Sequence, residues 1–179
     1  MNTVYQSIQL DKILFRYKKY LGHDFDSYKN HCYRVLNFAL LIADKTKDIE
    51  EKASIACAFH DLGIWTHKTF DYIEPSIGLS LSYLKEIGRM EWATEVSLMI
   101  SEHHKISPFK SEKYVLVESF RKADWIDVSL GFLDMGLNKD AISSIRNQFS
   151  NRGFHKRLVE LSIKRLITNP LSPLPMFKR

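Results

Sequence analysis

The chain has 179 residues and a mass of 21.0 kDa. Lysine and arginine number 26 against 21 aspartate and glutamate, which gives a net charge of +5. Hydrophobic residues make up 45 % of the chain and charged residues 26 %, so disordered, collagen-like and low-complexity classes are excluded. This length fits one domain with its own core. The modest positive charge permits an anionic partner such as a nucleotide without requiring one.

The helical spacing of apolar residues extends over nearly the whole chain and predicts an all-α, single-domain bundle. The predicted helices cover residues 4–21, 26–43, 48–63, 75–88, 91–105, 111–133, 138–149 and 153–168. Pro75 is expected at the first position of its helix, where proline is tolerated. Gly63 is expected to end the third helix. Residues 169–179, which contain three prolines, are expected to form an extended tail.

The cysteines and the apolar runs indicate the cellular location. Cys32 and Cys57 are too few for a disulfide framework and lie in apolar helical patterns, where a free thiol suits a reducing cytosol. The longest strongly apolar run, residues 38–43, is far short of the about 20 residues that span a membrane. Residues 1–14 lack the basic segment followed by an apolar core that a signal peptide has. We therefore expect a cytoplasmic protein without a membrane segment.

Four polar residues fall on the inward faces of four different predicted helices. A lone histidine on such a face is usually a hydrogen-bonded core residue. That interpretation changes when several such residues occur together. His31, His60 and His103 lie on three predicted helices, and the acid Asp124 lies on a fourth. Buried imidazoles and carboxylates are unfavourable unless paired, and a metal ion is their natural common partner. The pattern therefore indicates a metal site within the bundle.

The pair His60-Asp61 is the most informative. Neighbouring residues in the middle of a helix point about 100° apart and rarely share a ligand. Because Gly63 places the helix end here, both side chains could reach one ion. Imidazole nitrogen with carboxylate oxygen suits Mg²⁺ or a first-row metal such as Mn, Fe, Co, Ni or Zn.

The ordered set of motifs resembles the HD-domain superfamily of metal-dependent phosphohydrolases. The resemblance covers about residues 24–132. It rests on His31 in His-Cys-Tyr-Arg-Val, His60-Asp61 in Ala-Phe-His-Asp-Leu-Gly, His103-His104 in Ile-Ser-Glu-His-His, and Asp124 and Asp127 in Arg-Lys-Ala-Asp-Trp-Ile-Asp.

The resemblance implies a ligand set in two parts. Four residues match the ligands of the basic one-metal site: His31, His60, Asp61 and Asp124. In the two-metal branches of the family further histidines follow, and His103 and His104 match the adjacent pair. Where another histidine normally precedes a proline, this chain has Glu74. Glu74 could bind a metal, or it could simply be an anion favoured at a helix N-terminus. One ion is therefore expected, with a second left open.

The same resemblance implies that a metal-activated water attacks phosphorus. Arg34, Lys122 and Lys68 are candidates to neutralise phosphate charge, although each could be an ordinary solvated cation. Asp127, three residues after Asp124, could orient a ligand histidine, shuttle a proton or be a surface acid. His67 could be a general acid or a solvated loop histidine.

The leading prediction is a phosphohydrolase of a nucleotide or another small phosphate ester. Two alternatives stay open: a dinuclear-iron oxygenase, and a non-catalytic module that binds a nucleotide. Trp65 and Tyr72 lie in the loop that should overhang the site, where an aromatic ring could stack on a base. No motif supports a nucleic-acid partner, and the oligomeric state is open.

Overall fold

The computed structural model describes residues 5–43 and 47–171, so the expectations at Val4 and beyond residue 171 lie outside the described residues. Within those ranges the chain is helical and contains no strand, which confirms the predicted all-α class. The helices are α1 (Ile8–Arg16), α2 (Lys18–Leu21), α3 (Phe25–Ile42), α4 (Lys47–Phe59), α5 (Gly63–Thr66), α6 (Ile73–Glu86), α7 (Ala93–Glu102), α8 (Val115–Val128), α9 (Lys139–Gln148) and α10 (Phe154–Thr168). Short 3₁₀ turns cover Gly22–Asp24 and Met90–Trp92.

Helix α3 is the centre of the bundle. From Tyr33 to Leu40 every side chain is buried, as expected for a helix enclosed by others on all sides. Its most extensive partner is α8, and α4 packs along another face. Helix α7 contacts both α4 and α8. The C-terminal ends of α4 and α7 therefore meet the middle of α3 and α8 at one point inside the bundle.

The predicted first helix is divided in the structure, and the third is shorter than expected. The break falls at Tyr17, whose N–H donates to the carbonyl of Leu14 three residues back. The third helix, α4, ends at Phe59, and residues 60–62 form a turn. Gly63 does not end that helix but begins the short helix α5, so its predicted role as a C-cap was wrong.

Two other helix boundaries also differ from the prediction. Helix α6 begins at Ile73, so Pro75 is its third residue, where a missing N–H still removes no helical hydrogen bond. Helix α8 covers only Val115–Val128 of the predicted 111–133. It ends early because Leu130 and Gly131 adopt left-handed backbone angles, with φ of 59° and 82°.

The cysteines are buried, and none of the described helices spans a membrane. Cys32 and Cys57 are both buried free thiols, as predicted. No helix in the described ranges combines the length and the apolar character that crossing a bilayer requires.

Candidate metal centre

The four polar residues predicted on inward helix faces, His31, His60, His103 and Asp124, lie together in the structure, and Asp61 lies with them. His31 and Asp124 lie on α3 and α8, His60 and Asp61 in the turn after α4, and His103 directly after α7. His31, His60 and His103 are 0 % exposed, and the two carboxylates are almost completely buried. The Nε2 atoms of His31 and His60 are 2.9 Å apart. The separation from His60 Nε2 to Asp61 Oδ2 is 3.4 Å, and that from His31 Nε2 to Asp124 Oδ1 is 3.7 Å.

Each of these imidazoles is oriented by a hydrogen bond on its far side. The Nδ1 atom of His60 is 2.9 Å from the carbonyl of Cys57, and that of His103 is 2.7 Å from the carbonyl of Ile100. A carbonyl oxygen only accepts, so both Nδ1 atoms carry the proton. In the neutral rings the Nε2 lone pairs then face the interior of the cluster. This is how a metal-binding histidine is usually held.

Three buried atoms of the cluster lack a hydrogen-bond partner among the described residues. They are Oδ1 of Asp61, Nε2 of His103 and Oδ1 of Asp124. A buried acceptor without a partner is destabilising by about 1–3 kcal/mol, so such atoms are rare unless a ligand completes them. Two of them lie together, because His103 Nε2 is 3.5 Å from Asp61 Oδ1, and Asp124 Oδ1 is 3.8 Å from Nε2 of His60 in the same cluster. Lone pairs without donors are what a cation would satisfy, so the residues fit a metal ion.

The pKa values in the cluster differ strongly between neighbouring groups. Burial lowers the pKa of His60 to about 3, whereas burial raises that of Asp124 to about 7. For His31, burial acts to lower the pKa, but hydrogen bonds to Asp127 and Asp61 outweigh it and raise the pKa to about 9. For Asp61, burial acts to raise the pKa, but the neighbouring imidazoles hold it well below its usual range.

The donor atoms form two overlapping groups that could hold a metal ion. The first is His31, His60 and Asp61, and Asp124 lies beside it. The second is Asp61, His103 and His104. Because Asp61 belongs to both groups, one carboxylate could serve two neighbouring ions.

Glu74 lies outside both groups of donor atoms. The residue is exposed in the first turn of α6. Tyr72, two residues earlier, is the residue of this segment that turns inward. Its hydroxyl is hydrogen-bonded to Nε2 of His104, and its side chain is 2 % exposed.

Asp127 and Arg34 form a layer behind the histidines. An oxygen of Asp127 is 2.7 Å from Nδ1 of His31, which is the orienting contact considered from the sequence. Arg34 donates to both carboxylate oxygens of Asp127 and to the carbonyl of Phe149. Its guanidinium is thus engaged away from the imidazole Nε2 atoms, which argues against its predicted contact with a phosphate.

The remaining predicted catalytic residues are not brought to the cluster. His67 and Lys68 are exposed after α5, and His67 is hydrogen-bonded to Thr66. Lys122 is half-buried on α8, where its charge acts on Glu118 one turn away. An (i, i+2) pair on a helix points to different sides, so Lys122 cannot share the direction of Asp124.

Two aromatic residues that the sequence did not single out enclose the histidines. The ring of Phe154, at the start of α10, stacks on His31 with centroids 4.0 Å apart. The ring of Tyr28 lies 6.1 Å from that of His60, and its hydroxyl accepts from the N–H of Asp61. Tyr28 lies one helical turn from His31, so its place beside the histidines could have been predicted from helical spacing. Nothing in the sequence connects Phe154 to the motif region.

Comparison with known families agrees with this geometry. The HD domain model matches residues 28–129, which is more than half of the chain. The chain therefore belongs to the HD domain family, which consists of all-α proteins that commonly bind divalent metals and act as hydrolases. No curated protein and no solved structure gives a significant match.

Proposed function

We propose that the protein is a metal-dependent phosphohydrolase acting on a nucleotide or another small phosphate ester. The observation that carries the proposal is the set of buried imidazoles whose protonated Nδ1 atoms are fixed from behind while their Nε2 atoms face two carboxylates. Membership of the HD domain family supports it. Because the two cysteines are free buried thiols, we further propose that the protein works in the reducing cytoplasm.

The proposed ligands are His31, His60, Asp61 and Asp124. When bound there, a divalent metal lowers the pKa of water and polarises a phosphoryl oxygen. The donors are nitrogen and oxygen, which suits Mn, Fe, Co, Ni, Zn or Mg. Asp127 keeps the proton on Nδ1 of His31, so that the lone pair of Nε2 stays available to a metal ion. The burial of the cluster limits the access of bulk water to these charges, which strengthens their electrostatic effect.

A second candidate function is a dinuclear-iron oxygenase. The specific observation in its favour is the second donor group, Asp61, His103 and His104, which shares a carboxylate with the first. Against it, Glu74 is exposed and His104 is bonded to Tyr72. We favour the phosphohydrolase because the donor groups of the first set are more completely buried.

The test combines elemental analysis of the purified protein with a screen for phosphate release from nucleotides and small phosphate esters. We expect about one metal ion per chain and phosphate release, both lost in His60→Ala and Asp61→Ala while circular dichroism shows retained helix. His23→Ala, at an exposed histidine outside the cluster, is the matched control and should keep both.

Three results would count against this function. Full metal content in both His60→Ala and Asp61→Ala would contradict the ligand assignment. Two irons per chain with an O₂-dependent product would favour the oxygenase. A metal-free protein that binds nucleotides without releasing phosphate would indicate the non-catalytic module.

A further inference from the structure

A cavity of about 440 Å³ lies between α10 and the segment that follows α5. This volume is within the range of about 300–1,000 Å³ that is typical of small-molecule sites. None of the residues of the metal cluster lines it. The cavity is therefore separate from the candidate metal centre.

The cavity is strongly cationic. Lys68, Arg157, Lys164 and Arg165 line it, and no acidic residue does so within the described part of the chain. The ammonium groups of Lys68 and Lys164 make no hydrogen bond or ion pair with residues of ranges 5–43 and 47–171. Cations that face one space repel each other, and an anion within it would relieve that repulsion.

The lining also contains aromatic residues. Tyr20, Trp65 and Phe70 contribute rings to the cavity. Trp65 is fixed, because its Nε1 donates to Asp24 Oδ2 at 2.8 Å and its side chain is only 9 % exposed. The same carboxylate oxygen accepts from Nε of Arg157 at 3.0 Å. Asp24 does not line the cavity, but it holds the aromatic Trp65 and the cationic Arg157 in place. This is the arrangement of a preorganised site.

We propose that this cavity binds a nucleotide, with its phosphates among the lysines and arginines and its base against the aromatic wall. A ligand that joins a planar base to several phosphate charges matches both the aromatic and the cationic residues of the lining. The inference does not depend on the proposed phosphohydrolase activity, since no residue of the metal cluster takes part in the contact.

The cavity nevertheless lies close to the metal centre. The ring of Trp65 is 4.7 Å from that of Tyr28, which in turn lies 6.1 Å from the ring of His60. A base stacked on Trp65 would therefore be separated from the cluster by two aromatic rings. Trp65 itself offers a spectroscopic report of binding, because its indole forms part of the wall.

The test measures binding of ATP to the full chain in EDTA by isothermal titration calorimetry, with tryptophan fluorescence as a second readout. Lys164→Glu should weaken ATP binding at least tenfold. Lys156→Glu introduces the same charge change on the same helix at an exposed position outside the cavity lining, and it should have little effect. Asp61→Ala, which removes a proposed metal ligand, should leave ATP binding intact.

Three results would overturn the inference. Equal weakening by Lys164→Glu and Lys156→Glu would show attraction to general surface charge. Tripolyphosphate binding as tightly as ATP would show that the aromatic wall recognises no base. Loss of ATP binding in Asp61→Ala would place the nucleotide at the metal centre. Phosphohydrolase activity can fail independently of all three, because the titrations contain no metal.

Discussion

A single buried carboxylate, that of Asp127, holds the inner side of the metal centre together. It accepts from Nδ1 of His31 and from both Nε and Nη2 of Arg34, and it is 0 % exposed. Burial acts to raise the pKa of Asp127, but the hydrogen bonds from His31 and Arg34 keep it well below its usual range. The carboxylate is therefore ionised, and its charge balances a fully buried guanidinium.

Asp127→Asn should strongly affect both stability and metal binding. Leaving Arg34 without its charged partner should lower the free energy of unfolding by about 3–5 kcal/mol. Loss of the support behind His31 should weaken Mn²⁺ binding about 10–100-fold. Urea unfolding and calorimetric titration measure the two effects. Asp26→Asn, at an exposed acid 3.5 Å from Arg152, is the control, and identical behaviour of the two variants would contradict the assignment.

Single residues differ in how far the sequence predicted them. The meeting of His31, His60, Asp61 and Asp124 followed from motif order and from polar residues on apolar faces. The position of Arg34 did not, because its partner Asp127 comes from a helix distant in the sequence. Spacing along one helix gives a side chain's direction, but the groups opposite it are set by tertiary packing.

Among the elements, the contact between α5 and the start of α6 depends on the absence of a side chain at Gly63. A Cβ atom at this position would lie 2.6 Å from the backbone carbonyl oxygen of Tyr72, and backbone cannot move aside easily. The N–H of Gly63 also donates to Ser76 Oγ at 3.0 Å. This close approach brings Tyr72 and the metal centre together.

Gly63→Ala should therefore lower the free energy of unfolding by about 1–3 kcal/mol, as overpacking of a core does. Gly78→Ala is the matched control, because it lies inside α6 with no atom within 4 Å of the new methyl group. This control should instead raise stability by about 0.5–1 kcal/mol, since alanine favours helix over glycine. Thermal unfolding of both variants decides the matter, and equal shifts would refute the role of Gly63.

The eight predicted helices correspond to the eight longer helices of the described residues, whereas the short helices α2 and α5 were not predicted as separate elements. Apolar spacing located the long helices because burial of one face dictates it. The breaks at Tyr17 and after Phe59 carried no glycine or proline signal at the point of interruption. Gly63 was interpreted as a helix end, whereas its small size is needed for packing against another segment.

At the scale of the whole molecule, stability should depend on pH through Glu118. Its carboxylate accepts from Arg121 and from the N–H of Phe109, and so fixes the segment before α8. Burial acts to raise the pKa of Glu118, but these hydrogen bonds outweigh it and lower the pKa below the ordinary value of 4.5. A lowered pKa in the folded state contributes stability above the ordinary value, and this contribution is lost as the pH falls through the lowered one.

Glu118→Gln should lower the free energy of unfolding by about 1.5 kcal/mol at neutral pH. The difference from the unmodified chain should shrink as the pH falls below about 4, where the carboxylate becomes protonated in both states. Urea unfolding over a pH series measures it, with Glu112→Gln at an exposed position as the control. A difference that stays constant with pH would show that charge on Glu118 has no part in it.

The position of the metal centre has a consequence for the order in which the protein matures. Its donors come from segments between residues 31 and 124, so the site comes into being only after α3, α4, α7 and α8 have assembled. An unfolded chain offers no such arrangement, and any cation captured there adds its binding energy to the folded state alone. Metal binding at the proposed ligands would therefore follow the assembly of the tertiary structure and would stabilise it.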